Sequence, residues 1–222
     1  MLFDLATTLM KICVYVDAFN LYYGALKGTR HKWLNLEKLC QLQFPGDEII
    51  SIQYCTAKLN RRNRPDNSQQ VTRQEFYLRA LGTISCLEVI EGHYQTNIVA
   101  AHLANPTRFG AQVVDIVKSE EKGSDVNIAT RMLLDAYDSV FDKAVVITND
   151  SDQRMPIETV ITRFKKPVVV LMPLGADGRR PSGVLSKVAT STPIISVASL
   201  VNSQFPNELV DHMGRFHKPK EW

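Results

Sequence analysis

The chain has 222 residues, 45% of them hydrophobic and 22% charged, with a net charge of +3 and a pI near 8.6. This balance excludes an intrinsically disordered chain and a small disulfide-stapled scaffold, and it is ample for one core of ordinary size, in one domain or at most two. The mildly basic balance permits an anionic partner without demanding one.

Seven short β-rich runs are expected as strands: 11–17, 48–57, 86–92, 112–118, 143–149, 167–173 and 193–198. Several are continuous Val/Ile runs, the pattern of strands covered on both faces. Between them lie helical stretches at 20–27, 34–42, 68–82, 124–139, 155–164, 182–189 and 206–214. The best formed is "SDVNIATRMLLDAYDSV", with Ser124 as N-cap, Asp125 in the first turn, and Val126, Ala129, Met132, Leu133 and Ala136 as an apolar stripe. Alternating β and α elements predict an α/β fold with a mostly parallel sheet and helices on both faces. Residues 58–70 and 97–111 are expected as irregular surface inserts. Residues 1–10 form an N-terminal extension, 11–200 the domain, and 201–222 a C-terminal helix with a basic tail.

Cys13, Cys40, Cys55 and Cys86 show no C-x-x-C spacing. They are expected as small buried hydrophobes in a reducing cytoplasm rather than as zinc ligands. The start "MLFDLATTLM" lacks a basic region and a cleavage-like site, and no apolar run approaches the ~18 residues of a membrane span. No membrane partner is expected.

Open parallel sheets place their sites outside the carboxyl ends of the strands. Asp17 ends the first expected strand, and Asn20 follows it. Asp125 stands in "KGSDV". Asp150 and Asp152 stand in "NDSD", directly after an apolar run. Four carboxylates brought together repel, so some must protonate or bind a cation. Oxygen ligands suit Mg²⁺ or Mn²⁺ rather than zinc. Arg61, Arg62, Arg64, Arg73, Lys122, Arg179 and Arg180 are candidates to hold phosphates around that centre. A divalent cation with basic loops beside it is what phosphodiester hydrolysis requires. Each piece also has a plainer reading: Asp150 and Asp152 as a helix N-cap, Asp125 as a helix-dipole partner, and "RRNR" as a solvated loop. Tyr22, Tyr23 and Tyr77 are candidates to stack on unpaired bases or to fill the core.

"VDAFNLYYG", "QEFYLRALG…LEVIEGHY" and "EKGSDVNIATRMLLDAYDSVFDKAVVITNDSD" together resemble the NYN domain family, a branch of the PIN-like nucleases. The resemblance spans about residues 11–200. It implies a three-layer α/β/α, Rossmann-like domain and Mg²⁺- or Mn²⁺-dependent cleavage of RNA, single-stranded by expectation. It implies Asp17, Asn20, Asp125, Asp150 and Asp152 as the catalytic set, with the four aspartates at the metal. Ala18 stands where the family commonly has Gly, and Gln153 and Arg154 stand where an apolar residue commonly follows D-S-D. The alternatives are an RNA-binding regulator with little turnover and a small-molecule enzyme. The latter could be a phosphatase, or a hydroxypyridine monooxygenase as some NYN-like chains are labelled. A homodimer is compatible with all of these.

Overall fold

The computed structural model describes residues 9–59, 68–105, 110, 112–175 and 178–222. Six strands form one sheet: β1 (Lys11–Asp17), β2 (Glu48–Ala57), β3 (Leu87–His102), β4 (Val113–Lys122), β5 (Lys143–Ile147) and β6 (Val168–Leu171), in the order β4-β3-β2-β1-β5-β6. All neighbours run parallel except β3 and β4. The three-layer α/β architecture expected from the sequence is therefore present. Its helices are α1 (Ala18–Leu21), α2 (Leu36–Gln43), α3 (Ser68–Leu81), α4 (Ser124–Tyr137), α5 (Arg154–Arg163), α6 (Gly183–Val188) and α7 (Val197–Asn202). Among the described residues no helix is long and apolar enough to cross a membrane.

The period-two alternation of β1 sorts the core into two halves. Ile12, Val14 and Val16 pack with α2, α3 and α7 around Trp33 and Tyr77. Cys13 and Tyr15 pack with α4, α5 and α6 around Ile128, Met132 and Val160. Cys13, Cys40 and Cys55 are buried and free, and burial pushes their thiols up to about 12. They act as small core residues, as expected.

One buried polar contact fixes α4 on the sheet. The Tyr15 hydroxyl and the Gln53 amide both donate to Asp135 Oδ2, at 2.6 and 2.9 Å. Asp135→Ala would leave two buried donors without an acceptor, and an unsatisfied buried donor costs roughly 1–3 kcal/mol. Urea denaturation should show a loss of about 2 kcal/mol with the slope unchanged.

Four expectations are corrected. Residues 97–102 are not irregular: β3 continues past the sheet edge, where no parallel partner follows. It pairs with β4 from His93 opposite Lys122 to His102 opposite Val113. The fourth strand is therefore antiparallel, yet it still ends at the carboxyl edge. The expected strand 193–198 shrinks to one bridge, Met172 with Ile194, with another, Val169 with Ser191, just before it. Pro193 cannot donate to a ladder, and Ser196 caps α7 by accepting from the Ser199 amide. The expected helix 206–214 is a hairpin, β7 (Glu208–Asp211) and β8 (Gly214–His217). Asp211 accepts from the Met213 amide, and Gly214 takes φ +104°, so turn chemistry overrides a weak helical pattern. The expected helix 20–27 becomes α1 followed by a π-helical turn, Tyr22–Leu26, closed by a 2.7 Å bond from the Lys27 amide to the Tyr22 carbonyl.

The C-terminal residues pack against the domain. Arg79 of α3 grips Asp211 with two 2.6 Å bonds and lies over the Phe216 ring. Trp222 meets Trp33 and Tyr77 edge to face at 6.1 and 5.7 Å.

Candidate active site at the carboxyl edge

Strand order reverses at β1, whose neighbours are β2 and β5. The crevice beyond the ends of β1 and β5 is therefore the switch point where an open α/β sheet presents a site. Asp17, Asp150 and Asp152 come from the ends of these two strands. Asp125 reaches the same edge by a different route. β4 ends at Lys122, and Gly123 takes φ +101°, a left-handed turn that starts α4 at once. A side chain there would be strained, so the Gly in K-G-S-D is the reason Asp125 lands in the first turn facing the edge. Gly92 supports the turn from below: a Cβ there would stand 2.5 Å from the Lys122 carbonyl oxygen.

Asp17 is 3% exposed. Its Oδ1 accepts from the Asn20 amide at 2.9 Å, and its Oδ2 accepts from Asn20 Nδ2 at 2.6 Å and from the Thr148 hydroxyl at 3.1 Å. Asn20 thus clamps the carboxylate by backbone and side chain together. Thr148 accepts in turn from the Asp150 amide at 3.0 Å, which ties the end of β5 to the end of β1. Asp150 Oδ1 accepts from the Asp152 amide and caps the short 3₁₀ turn Ser151–Gln153. Asp150 is therefore a cap, but of this 3₁₀ turn rather than of α5, which starts after Gln153 without a side-chain cap. The cap occupies one oxygen and leaves the carboxylate charge at the edge.

Burial raises the Asp17 carboxyl above its ordinary value, opposed by its bonds to Asn20 and Thr148 and reinforced by Asp150. Asp125 is pushed up to about 6, first by burial, then by the charges of Asp17, Asp150 and Glu121, with the Gln153 amide opposing. The charges of Asp17 and Asp150 thus both bear on Asp125, and the three come from three segments of the chain. Asp152 stands exposed on the rim.

The basic candidates divide. Arg179 donates to Asn20 Oδ1 at 3.5 Å, which places it at the edge. Arg180 adjoins it through its carbonyl, which accepts from Asn149 Nδ2 at 3.0 Å. Lys122 pairs with Glu120 at 3.2 Å on the β4 side. Arg73 lies on α3, across the sheet from Asp125, where it lines a separate cavity. Arg61, Arg62 and Arg64 fall outside the described residues.

Four contributors carry no role in the sequence reading. Thr148 joins Asp17 to Asp150. Glu121 accepts from the Ser124 amide at 3.0 Å and raises Asp125. Gln153 is 1% exposed and directs its amide at the Asp125 carbonyl, at 3.3 Å. Asn149 accepts from the Ser182 amide at 2.8 Å and holds the Arg179–Arg180 loop over the edge. A polar side chain at the inner end of an apolar strand was the available signal for Thr148. Gln153 looked like a departure from the family pattern, and the fold gives it a partner inside the site.

Among the described residues, no three His, Cys, Asp or Glu side chains stand close enough to enclose a bare ion. The donor set nevertheless fits a hydrated one. Mg²⁺ keeps several waters and takes one or two carboxylates directly. Ser124 Oγ and Gln153 Oε1 are buried beside Asp125 without partners, as acceptors for such waters.

A family model described as the NYN domain matches residues 11–195. The chain belongs to the NYN domain family. The family is nuclease-like, which supports a hydrolase at the coarse level. This NYN domain is 28% identical to the 6-hydroxy-3-succinoylpyridine 3-monooxygenase of Pseudomonas putida, over 96% of this chain and 75% of the other. It also resembles in fold a solved protein of unknown function from Vibrio parahaemolyticus, with a TM-score of 0.52 and 18% identity, covering 85% of this chain and 94% of that one. That likeness concerns the fold alone.

Proposed function

We propose that this NYN domain hydrolyses phosphodiester bonds in single-stranded RNA, with Mg²⁺ or Mn²⁺ at the carboxyl edge. The observation that carries the reading is the gathering of Asp17, Asp125 and Asp150 at one edge, where burial first and then the charges of Asp17, Asp150 and Glu121 push the Asp125 carboxyl up to about 6, a repulsion that a cation would offset. Asp17 and Asp150 would hold the ion, with Asp125 and Asp152 reaching it through water. When bound, the ion would lower the pKa of a water and shield the phosphate. The chain's own groups do the rest. Asn20 and Thr148 fix the Asp17 oxygens in one orientation. Ionised Asp125 would take a proton from the attacking water, whose oxygen would bond to phosphorus as the P–O bond to the leaving strand breaks. Arg179, beside Asn20 at the edge, would pair with a non-bridging oxygen, and the departing oxygen would take its proton from solvent.

The test uses end-labelled single-stranded RNA with Mg²⁺, with Mn²⁺ and with chelator, beside an Asp150→Asn variant. Asn keeps the cap to the Asp152 amide and removes the charge. Metal-dependent cleavage that falls by at least ~10²-fold in the variant is expected. Cleavage that persists in chelator would sink the proposal.

The Pseudomonas relative favours a second reading, hydroxylation of a small aromatic ring. Oxygen consumption with NADH, ferrous iron and 6-hydroxy-3-succinoylpyridine would establish it in place of RNA cleavage.

A further inference from the structure

A cavity of about 240 Å³ opens one residue beyond Asp17, on the α3 side of the sheet. Ala18 and Phe19 form its rim, and Thr56 marks the end of β2 in its floor. Its walls are aromatic. Tyr22 and Tyr23 stand edge to face at 5.2 Å on the π-helical turn, and Tyr54, Tyr77 and Trp222 line the interior. The turn is forced close to the sheet edge, because Gly24 packs where a Cβ would meet the Pro173 carbonyl oxygen at 2.0 Å. π-helical turns of this kind are frequent at functional sites.

Two cations, Lys32 and Arg73, also line the cavity. Burial, then the charges of Arg73 and Lys218, hold the Lys32 ammonium below its ordinary range. Among the described residues neither Lys32 nor Arg73 has an acidic partner. Like charges gathered in a half-buried wall whose described residues include no carboxylate repel each other, and an incoming anion relieves that repulsion. The cavity thus combines ring-sized aromatic walls with a built anion locus, next to a carboxylate edge.

We infer that this cavity is a nucleotide subsite: it takes one unstacked base among Tyr22, Tyr23 and Trp222, with the attached phosphate on Lys32 and Arg73. The choice of a nucleotide over another aromatic anion rests on the phosphodiester reading of the neighbouring edge. A base stacked on aromatic side chains contributes roughly 1–3 kcal/mol and is tolerant of sequence. The cavity has room for one base, not for a base pair, so it admits an unpaired strand and excludes a duplex. The strand would continue into the adjoining wide groove of about 660 Å³ between α3 and β8, which shares Arg73 and adds Lys218 and Lys220.

The chain has two tryptophans, and only Trp222 lines the cavity, Trp33 being 0% exposed. Emission is followed while UMP, AMP, inorganic phosphate or benzoate is added in chelator, where no metal-dependent turnover occurs. Saturable quenching by UMP and AMP is expected, with Arg73→Ala weakening binding by at least ~10-fold and Arg73→Lys restoring most of it. In Trp222→Phe the quench disappears while calorimetry still detects nucleotide. Equal binding of phosphate alone would reduce the cavity to an anion site and overturn the proposal. Benzoate binding more tightly than either nucleotide would reassign it to a small aromatic acid, and absence of binding up to millimolar nucleotide would also overturn it. Circular dichroism of each variant establishes that it folds. Because the titration excludes metal, an inactive edge leaves its result readable, and an empty cavity leaves the cleavage assay readable.

Discussion

Asp125→Asn should make the metal-free protein more stable at pH 7.5, by about 1 kcal/mol, while lowering RNA cleavage by about 10²-fold. The two effects have one cause. Burial and the charges of Asp17, Asp150 and Glu121 move the Asp125 carboxyl from 3.8 to about 6 in the folded chain. A carboxyl raised on folding binds its proton more tightly in the native state, so stability falls as pH rises from about 4 to about 6. Above pH 6 the whole penalty is present. At about 1.4 kcal/mol per tenfold change in proton affinity it is at most ~3 kcal/mol. Water reaching this half-buried carboxyl screens it to about 1. Asn removes the charge and its repulsion together with the cation's reason to bind. Urea denaturation in chelator at pH 5 and pH 7.5 measures the difference, which should grow towards the higher pH. Asp17 is raised for the same leading reason and contributes with the same sign in both proteins. A variant less stable than wild type at pH 7.5 would show that Asp125 supports the fold rather than straining it.

The same residue has a signature in wild type. Cleavage should decline about tenfold per pH unit below 6, because a protonated Asp125 neither accepts a proton nor attracts a cation. Mg²⁺ uptake at pH 6 should release a proton, measurable in a weakly buffered titration.

Much of this edge is legible in the chain because its residues sit where strands end. A buried run such as "VYVD" carries its carboxylate to the sheet edge by period two alone, and β1 and β2 follow the expected bounds. The long α4 is legible in its extent and its acidic first turn, but not in its face: Val126 of the expected stripe is exposed, Ile128 is buried with Met132 and Ala136, and Gly123 rather than Ser124 stands at the N-cap. What the pattern hides is what depends on partners distant in sequence. β3 reads as a short strand because its second half pairs only with β4, with most of its residues half-covered or exposed, so no hydrophobic period marks it. The β7–β8 hairpin hides behind Glu208, Leu209 and Val210, which suit either period, and Asp211 with Gly214 decides the outcome. Thr148, Glu121 and Gln153 are ordinary residue types locally. Their places beside Asp17, Asp150 and Asp125 arise only from β1 and β5 lying side by side and from α4 starting directly after Gly123. Lys32, Arg73 and Trp222 converge on one cavity from widely separated positions, which no spacing rule brings together.

Saturating Mg²⁺ should raise the thermal midpoint of the wild-type chain by about 5–10 °C and leave Asp17→Asn unmoved. A ligand at a hundredfold excess over its Kd adds about 2.7 kcal/mol, and a chain of this length shifts by about 2–4 °C per kcal/mol. Asp17 is the right residue for the comparison because its two roles separate cleanly. Its Oδ1 caps α1 through the Asn20 amide, and Asn caps a helix about as well as Asp. Its Oδ2 gathers Asn20 Nδ2 and Thr148, an arrangement that orients a charge. In the variant the Asn20 amide can rotate to present its oxygen and Thr148 can turn its hydroxyl, so the fold persists at a loss of about 1 kcal/mol. The charge does not persist. Cleavage should fall by about 10²–10³-fold, the usual consequence of removing one fixed electrostatic group from a reaction centre. A variant that melts like wild type in chelator but ignores Mg²⁺ separates holding the ion from capping the helix. If Mg²⁺ still stabilises Asp17→Asn by the wild-type amount, the ion sits elsewhere and Asp17 is a helix cap with a buried charge.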